Sequence, residues 1–203
     1  MFDIKVLLFD IGGVLLTNGW DRTSRRLASD KFDLEWDEFQ DRHDSVSEDF
    51  ETGKLTTSEY LRRTVFHRDR DFTEAAFVEF MKSQSRTKPE SLAVAGELAE
   101  TGQHLMATLN NESRELNDFR IETFGLQKYF SVFLSSSYLG VSKPNKEIYS
   151  LAVDIVQYRP DQCVFIDDRE INLECANLLG IRPVLFTDAD RLRVSLRELG
   201  VAI

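Results

Sequence analysis

Asp10 closes the apolar run Val6-Leu7-Leu8-Phe9 and is followed at once by Gly12-Gly13-Val14. A β-branched, leucine-rich run without polar alternation is the mark of a strand buried on both faces, the strand type of parallel sheets. A lone carboxylate at its carboxyl end lies where open α/β sheets carry their chemistry. The paired glycines let the backbone pass close to a bound group. Taken alone, the same pattern also describes a strand end whose Asp caps a turn.

Strand-like runs recur at residues 5–9, 105–109, 132–135, 163–166 and 183–186, and helical patterns fall at 89–100, 114–124, 144–156 and 171–179. Alternating β and α elements predict an α/β fold, a Rossmann-like doubly wound parallel sheet with helices on both faces. Gly180 stands where a helix ends in the left-handed conformation. Residues 17–88 break the rhythm, being rich in charge and aromatics with helical periodicity and no convincing strand. They predict a small α-helical cap, 17–88, inserted into a core made of 1–16 and 89–203. An insert emerging beside Asp10 would cover the carboxyl edge of the sheet as a lid.

A chain of 203 residues can bury a full core. Its formal charge of −10 argues against a polyanionic partner, and the basic cluster from Arg62 to Arg70 is interrupted by Asp69. Nucleic acid is therefore not an expected ligand. No uncharged stretch is long enough for a membrane span. Asp3 and Asp10 lie within the apolar start and no basic leader precedes it, so a cytoplasmic protein is expected. Cys163 and Cys175 show no metal spacing and read as reduced packing residues. His43, His67 and His104 form no ligand spacing either.

A second apolar run, Phe165-Ile166, ends in Asp167-Asp168, with Asn172 on the helix that follows. Two strands ending in acid at one sheet edge can gather oxygen ligands around a hard cation, and Mg2+ suits carboxylates plus water. Clustered carboxylates repel one another, so a compensating cation is expected. Lys143 can supply one: Pro144 suits the first position of a helix and biases Lys143 toward an extended backbone, projecting its ammonium from a fixed loop.

With these residues in view the chain resembles the haloacid dehalogenase superfamily over nearly its whole length, and most of all its small-capped sugar-phosphate phosphatases and the phosphatase domain of soluble epoxide hydrolases. The residues that carry the resemblance are Asp10-Ile11-Gly12-Gly13-Val14, Asn110, Lys143-Pro144, and Asp167-Asp168 with Asn172, Ala176 and Gly180. Glu51-Thr52-Gly53-Lys54-Leu55 resembles the cap turn that lines the substrate pocket in such enzymes. The resemblance implies a phosphatase in which Asp10 attacks phosphorus to form an aspartyl-phosphate. It implies Mg2+ on Asp10, the Gly12 carbonyl and Asp168, with Asp167 in reach. Lys143, Asn110 and Asn111 would hold the phosphoryl group over Gly12 and Gly13. The expected partner is a small-molecule phosphate ester, and the expected state is a monomer or homodimer.

Two positions depart from the pattern. Most phosphatases of the superfamily carry an Asp two residues after the nucleophile, to protonate the leaving oxygen and then activate water, but Gly12 stands there. That group is worth about two to four orders of magnitude in rate. Its absence favours good leaving groups, such as a phosphate on an anomeric carbon or on an acyl group. Leu109 fills the slot that usually holds Thr or Ser, and Thr108 is expected on the opposite face of the strand. Asp21 reads as a helix N-cap and, less simply, as a substitute acid; Trp20 reads as packing at the cap root. Two alternatives stay open: a metal-independent dehalogenase, disfavoured by Asp167-Asp168, and a phosphometabolite-binding protein without turnover.

Overall fold

The opening run forms β1 (Val6–Phe9), and all four of its side chains are buried, as an unalternating apolar strand requires when both faces are covered. In the computed structural model, which describes residues 2–203, five helices follow: α1 (Arg22–Phe32), α2 (Trp36–Asp44), α3 (Ser47–Glu51), α4 (Thr57–Thr64) and α5 (Glu74–Ser83). Next come α6 (Pro89–Thr101), β2 (Leu105–Asn110), α7 (Arg114–Thr123), β3 (Val132–Ser135), α8 (Ser136–Leu139) and α9 (Lys146–Val156). The chain closes with β4 (Cys163–Asp167), α10 (Glu170–Leu178), β5 (Arg182–Leu185) and α11 (Ala189–Glu198).

The strands run in the order β3-β2-β1-β4-β5, and every pairing is parallel. The doubly wound α/β sheet read from the sequence is the observed architecture. β1 lies at its centre, with β2 on one side and β4 on the other, so the order reverses there and opens a crevice at the carboxyl edge. The register sets Phe9 against Ile166 and Thr108, and the Asp10 amide donates to Ile166 O at 2.8 Å. Asp10 and Asp167 thereby end neighbouring strands.

Alternation along β1 divides the core. Leu7 and Phe9 pack with Val94, Leu98, Leu192 and Leu196 from α6 and α11; Val6 and Leu8 pack with Ile148, Ala152, Leu173 and Ala176 from α9 and α10. The helices between β1 and α6 bury a third apolar cluster that includes Trp20, Phe39, Phe50, Tyr60, Phe77 and Met81. The two chain segments entering and leaving them run side by side, with Thr17 N donating to Arg86 O at 2.9 Å and Lys88 N to Leu15 O at 2.9 Å. Asp21 caps α1 by accepting from Ser24 N. Gly180, with φ of 87°, ends α10 as expected.

One local expectation fails. α9 begins at Lys146, not at Pro144, because the Asn145 side chain accepts from Glu147 N and takes the N-cap. Asn is among the strongest N-caps, and its bond to the first turn fixes where the helix can start.

Within the cap core, Trp20 Nε1 donates to Tyr60 Oη at 2.8 Å, and Tyr60 Oη lies 2.9 Å from His43 Nδ1. The phenol carries one proton and two lone pairs, so it bonds both groups at once. Burial, reinforced by the nearby Arg25 charge, pushes the His43 imidazole down to about 4. Between the ordinary value near 6.5 and about 4 the unfolded chain takes up a proton that the folded chain refuses. Stability present above about pH 6.5 is therefore lost as pH falls toward 4, by about 3 kcal/mol from this group. His43→Gln keeps an acceptor for Tyr60 but cannot titrate. Urea midpoints measured across this interval are expected to fall less steeply in that variant than in the wild type.

Candidate active site

Three segments meet at the carboxyl edge of β1 and β4. Lys143 Nζ, from the loop before α9, lies 3.1 Å from Asp10 Oδ1 and 2.7 Å from Asp167 Oδ2. All three residues are buried, Asp167 completely. Burial alone would pull the Lys143 ammonium down, but Asp10 and Asp167 together hold it above its ordinary value. Burial pushes the Asp10 carboxyl up to about 7; Lys143 opposes this, and the negative charge of Asp167 adds to it. Here one ammonium faces several carboxylates.

Asp167 is fully engaged. Besides Lys143, it accepts from Asn172 Nδ2 at 3.0 Å on both oxygens and from Arg169 N at 2.8 Å. It anchors Lys143. Asp168 is less buried, and burial followed by the charge of Asp167 raises its carboxyl. It packs on Gly13, where a Cβ would fall 2.0 Å from Asp168 Oδ2, and where φ is 77°. Only glycine fits that close approach.

The amides after β2 divide differently from the sequence reading. Asn111 clamps the Lys143 backbone, its Nδ2 donating to Lys143 O at 2.9 Å and its Oδ1 accepting from Lys143 N at 2.8 Å. It also lines the cavity above Asp10. Asn110, expected to hold the phosphoryl group, instead turns toward α7 and donates to Asn117 Oδ1 at 3.0 Å, away from the cavity. As the last residue of β2 it follows the strand's alternation, while Asn111, beyond the strand, turns into the site. Leu109 is wholly buried among side chains of α9 and α10. Thr108 is buried as well and does not line the cavity.

The cavity is about 300 Å3. Asp10, Gly12, Asn111, Lys143 and Asp168 form its floor; Trp20, Arg25, His43, Phe50 and Glu51 reach it from the cap helices and their root. Asp21, Glu112 and Arg120 also line the wall. Arg120 Nη1 donates to Glu112 Oε2 at 3.0 Å and Nη2 to Thr17 O at 2.6 Å, tying the start of the cap to α7. Burial and the charge of Glu112 raise the Glu51 carboxyl to about 7. The sequence reading reached Glu51 through its turn motif. It missed His43, Arg25, Glu112 and Arg120, whose only signal is position in the fold.

Carboxylate oxygens of Asp10, Asp167 and Asp168 lie within 4.8 Å of one another. This is a hard oxygen set of the kind Mg2+ takes. A divalent cation would also relieve the excess negative charge that lifts Asp10 and Asp168. The residues therefore fit such an ion, with Asp10 and Asp168 facing it and Asp167 behind.

A family model described as haloacid dehalogenase-like hydrolase matches residues 4–198, and the chain belongs to that family. It is 29% identical over 171 residues to flavin mononucleotide hydrolase 1, chloroplastic, of Arabidopsis thaliana, covering 80% of this chain and 65% of that protein. It is 23% identical over 214 residues to bifunctional epoxide hydrolase 2 of Sus scrofa, covering 97% of this chain and 38% of that protein. The chain thus spans less than two thirds of either relative. A HAD family enzyme of Bacteroides thetaiotaomicron, solved in complex with magnesium and inorganic phosphate, superposes with a TM-score of 0.74 at 22% identity, over 91% of this chain and 94% of that one. No described helix is long and apolar enough to cross a membrane.

Removing one partner of a buried ion pair leaves an uncompensated charge, at a cost of about 3–5 kcal/mol. Lys143→Met is expected to destabilise the protein by that order at neutral pH in EDTA. Without the ammonium, Asp10, already raised by burial, binds its proton at still higher pH in the folded than in the unfolded chain. The deficit relative to wild type should therefore shrink as pH falls, measured by urea unfolding.

Proposed function

We propose that the chain is a Mg2+-dependent phosphomonoester hydrolase that acts on a small metabolite, such as a sugar phosphate, through an aspartyl-phosphate on Asp10. The observation that carries this reading is the joint placement of Asp10, Lys143 and Asp168 on the floor of one cap-covered cavity. Asp10 and Asp168, with the Gly12 carbonyl, would hold Mg2+, which when bound offsets repulsion between a carboxylate nucleophile and a phosphate dianion. Asp10 would attack phosphorus, splitting one displacement into two easier steps. Lys143 would meet the phosphoryl oxygens while its attachments to Asp167 and Asn111 keep it from moving as charge shifts. A cavity of about 300 Å3 lies at the small end of ligand sites, which supports a small substrate. The relatives named as a flavin mononucleotide hydrolase and an epoxide hydrolase, and the neighbour holding magnesium and phosphate, support the same class.

Phosphate release from sugar phosphates, nucleotides and acyl phosphates, followed with Mg2+, is expected to be robust in the wild type. It should fall at least about a thousandfold in Asp10→Asn, since a carboxamide cannot serve as the nucleophile. EDTA should abolish it. Chloride release from 2-haloacids that persists in EDTA would instead mark a dehalogenase. Phosphate binding without release would mark a binding protein.

A further inference from the structure

The residue two positions after Asp10 is Gly12, so the loop after β1 carries no acid for the leaving oxygen. A Cβ at Gly12 would lie 3.0 Å from Asn18 Oδ1 and 3.9 Å from Arg120 Nη1. An amide and a guanidinium thus occupy that space, and neither gives up a proton near neutral pH. Glu112 stands beside them but is committed, accepting from Arg120 on Oε2 and from Ser113 N on Oε1, both at 3.0 Å.

Two further carboxylates line the wall: Asp21, which caps α1 by accepting from Ser24 N at 2.7 Å, and Glu51, at the end of α3. Among the described residues the Glu51 side chain has no hydrogen-bond or salt-bridge partner, although its backbone is held firmly. Ser136 Oγ donates to Glu51 O at 2.6 Å and accepts from Glu112 N at 3.1 Å. Gly53, with φ of 75°, sits so close to the core that a Cβ would fall 2.3 Å from Ser137 O. The cap turn is thus seated directly on the junction of β3 and α8, with Glu51 over the cavity that holds Asp10 and Lys143.

We propose that Glu51 is the proton donor and acceptor of the reaction, supplied by the cap in place of a side chain at residue 12. This rests on the phosphatase reading above. In the first step a bond forms between a carboxylate oxygen of Asp10 and phosphorus, the bond from phosphorus to the leaving oxygen breaks, and the Glu51 proton passes to that oxygen, which departs as an alcohol. In the second, ionised Glu51 takes a proton from water as the water oxygen bonds to phosphorus and the bond to Asp10 breaks. Phosphate leaves, and both carboxyl groups return to their starting forms. A carboxyl near 7 can serve both steps. Burial and Glu112 hold it there against the opposing charges of Arg25 on α1, Arg169 ahead of α10 and Lys143 ahead of α9. His43 of α2, another titratable cap group on the wall, stays neutral in this range. Because nucleophile and acid lie on separate units, turnover requires the cap to be seated.

The test compares a simple alkyl phosphate with p-nitrophenyl phosphate, whose leaving group needs no proton, with Mg2+ from about pH 5 to about pH 9. E51Q is expected to lower kcat/KM for the alkyl ester, which reports formation of the aspartyl-phosphate, about a hundredfold or more, and to remove the fall in that rate above neutrality. On p-nitrophenyl phosphate kcat/KM should change less than about threefold, which also reports that the variant folds, while kcat falls because the shared second step has lost its base. Adding Gly12→Asp to E51Q should restore part of the alkyl rate. An equal loss of kcat/KM on both esters, or a pH profile of kcat/KM for the alkyl ester unchanged by E51Q, overturns the assignment while leaving Asp10-dependent hydrolysis intact. If the wild type hydrolyses neither ester, the phosphatase reading falls and takes the assignment with it.

Discussion

A buried ammonium cannot stand alone, and in this protein the position of Lys143 organises everything around it. Its Nζ lies between Asp10 at the end of β1 and Asp167 at the end of β4, so the ion pair requires neighbouring strands to finish level. The parallel register of β1 with β4 provides that. The Lys143 backbone is held on both sides by Asn111, and Asp167 is held by Asn172 and the Arg169 amide. Desolvation of the ions is thus offset by several hydrogen bonds rather than by Coulomb attraction alone. Of the adjacent pair, Asp167 carries these bonds, and Asp168 is the one that lines the cavity.

The cap is joined to this platform in another way. Within itself it is apolar and aromatic, with Phe50 stacked on Tyr60 at 4.1 Å between centroids. Its seam with the core includes polar bonds: Ser136 Oγ to Glu51 O, Thr57 N to a Glu115 carboxylate oxygen, and Arg120 to Thr17 O. Each such bond contributes about 0.5–1.5 kcal/mol, because water can replace it. Leu116 of α7 adds an apolar contact by joining the cluster inside the inserted helices.

The middle of the sheet was legible because β1 and β4 are apolar without alternation, a pattern that needs no tertiary information. The ends of β1 and β4 therefore announced Asp10, Asp167 and Asp168, and Pro144 drew attention to Lys143. Where the reading failed, the deciding physics was directional. Asn110 and Asn111 are chemically identical neighbours, and only the exit of the chain from β2 shows that the first turns to Asn117 and the second to Lys143. Asn145 took the helix cap from a position one residue after Pro144. His43 and Arg25 carry no local signature. They reach the cavity because the cap helices pack as they do, and no spacing along the chain records that.

Gly12 acquires a physical sense in this setting. An Asp there would set a fourth carboxylate beside Asp10, Asp167 and Asp168 on a floor that holds a single buried ammonium. Burial already lifts Asp10 to about 7, and another negative charge would lift the group further. Carrying the acid on the cap instead separates two electrostatic tasks. The floor can be set for a cation and a phosphate, while Glu51 takes its proton affinity from burial and from Glu112. The Glu112–Arg120 pair then serves both units, tying the root of the cap at Thr17 and supplying the negative charge that keeps a proton on Glu51 near neutral pH.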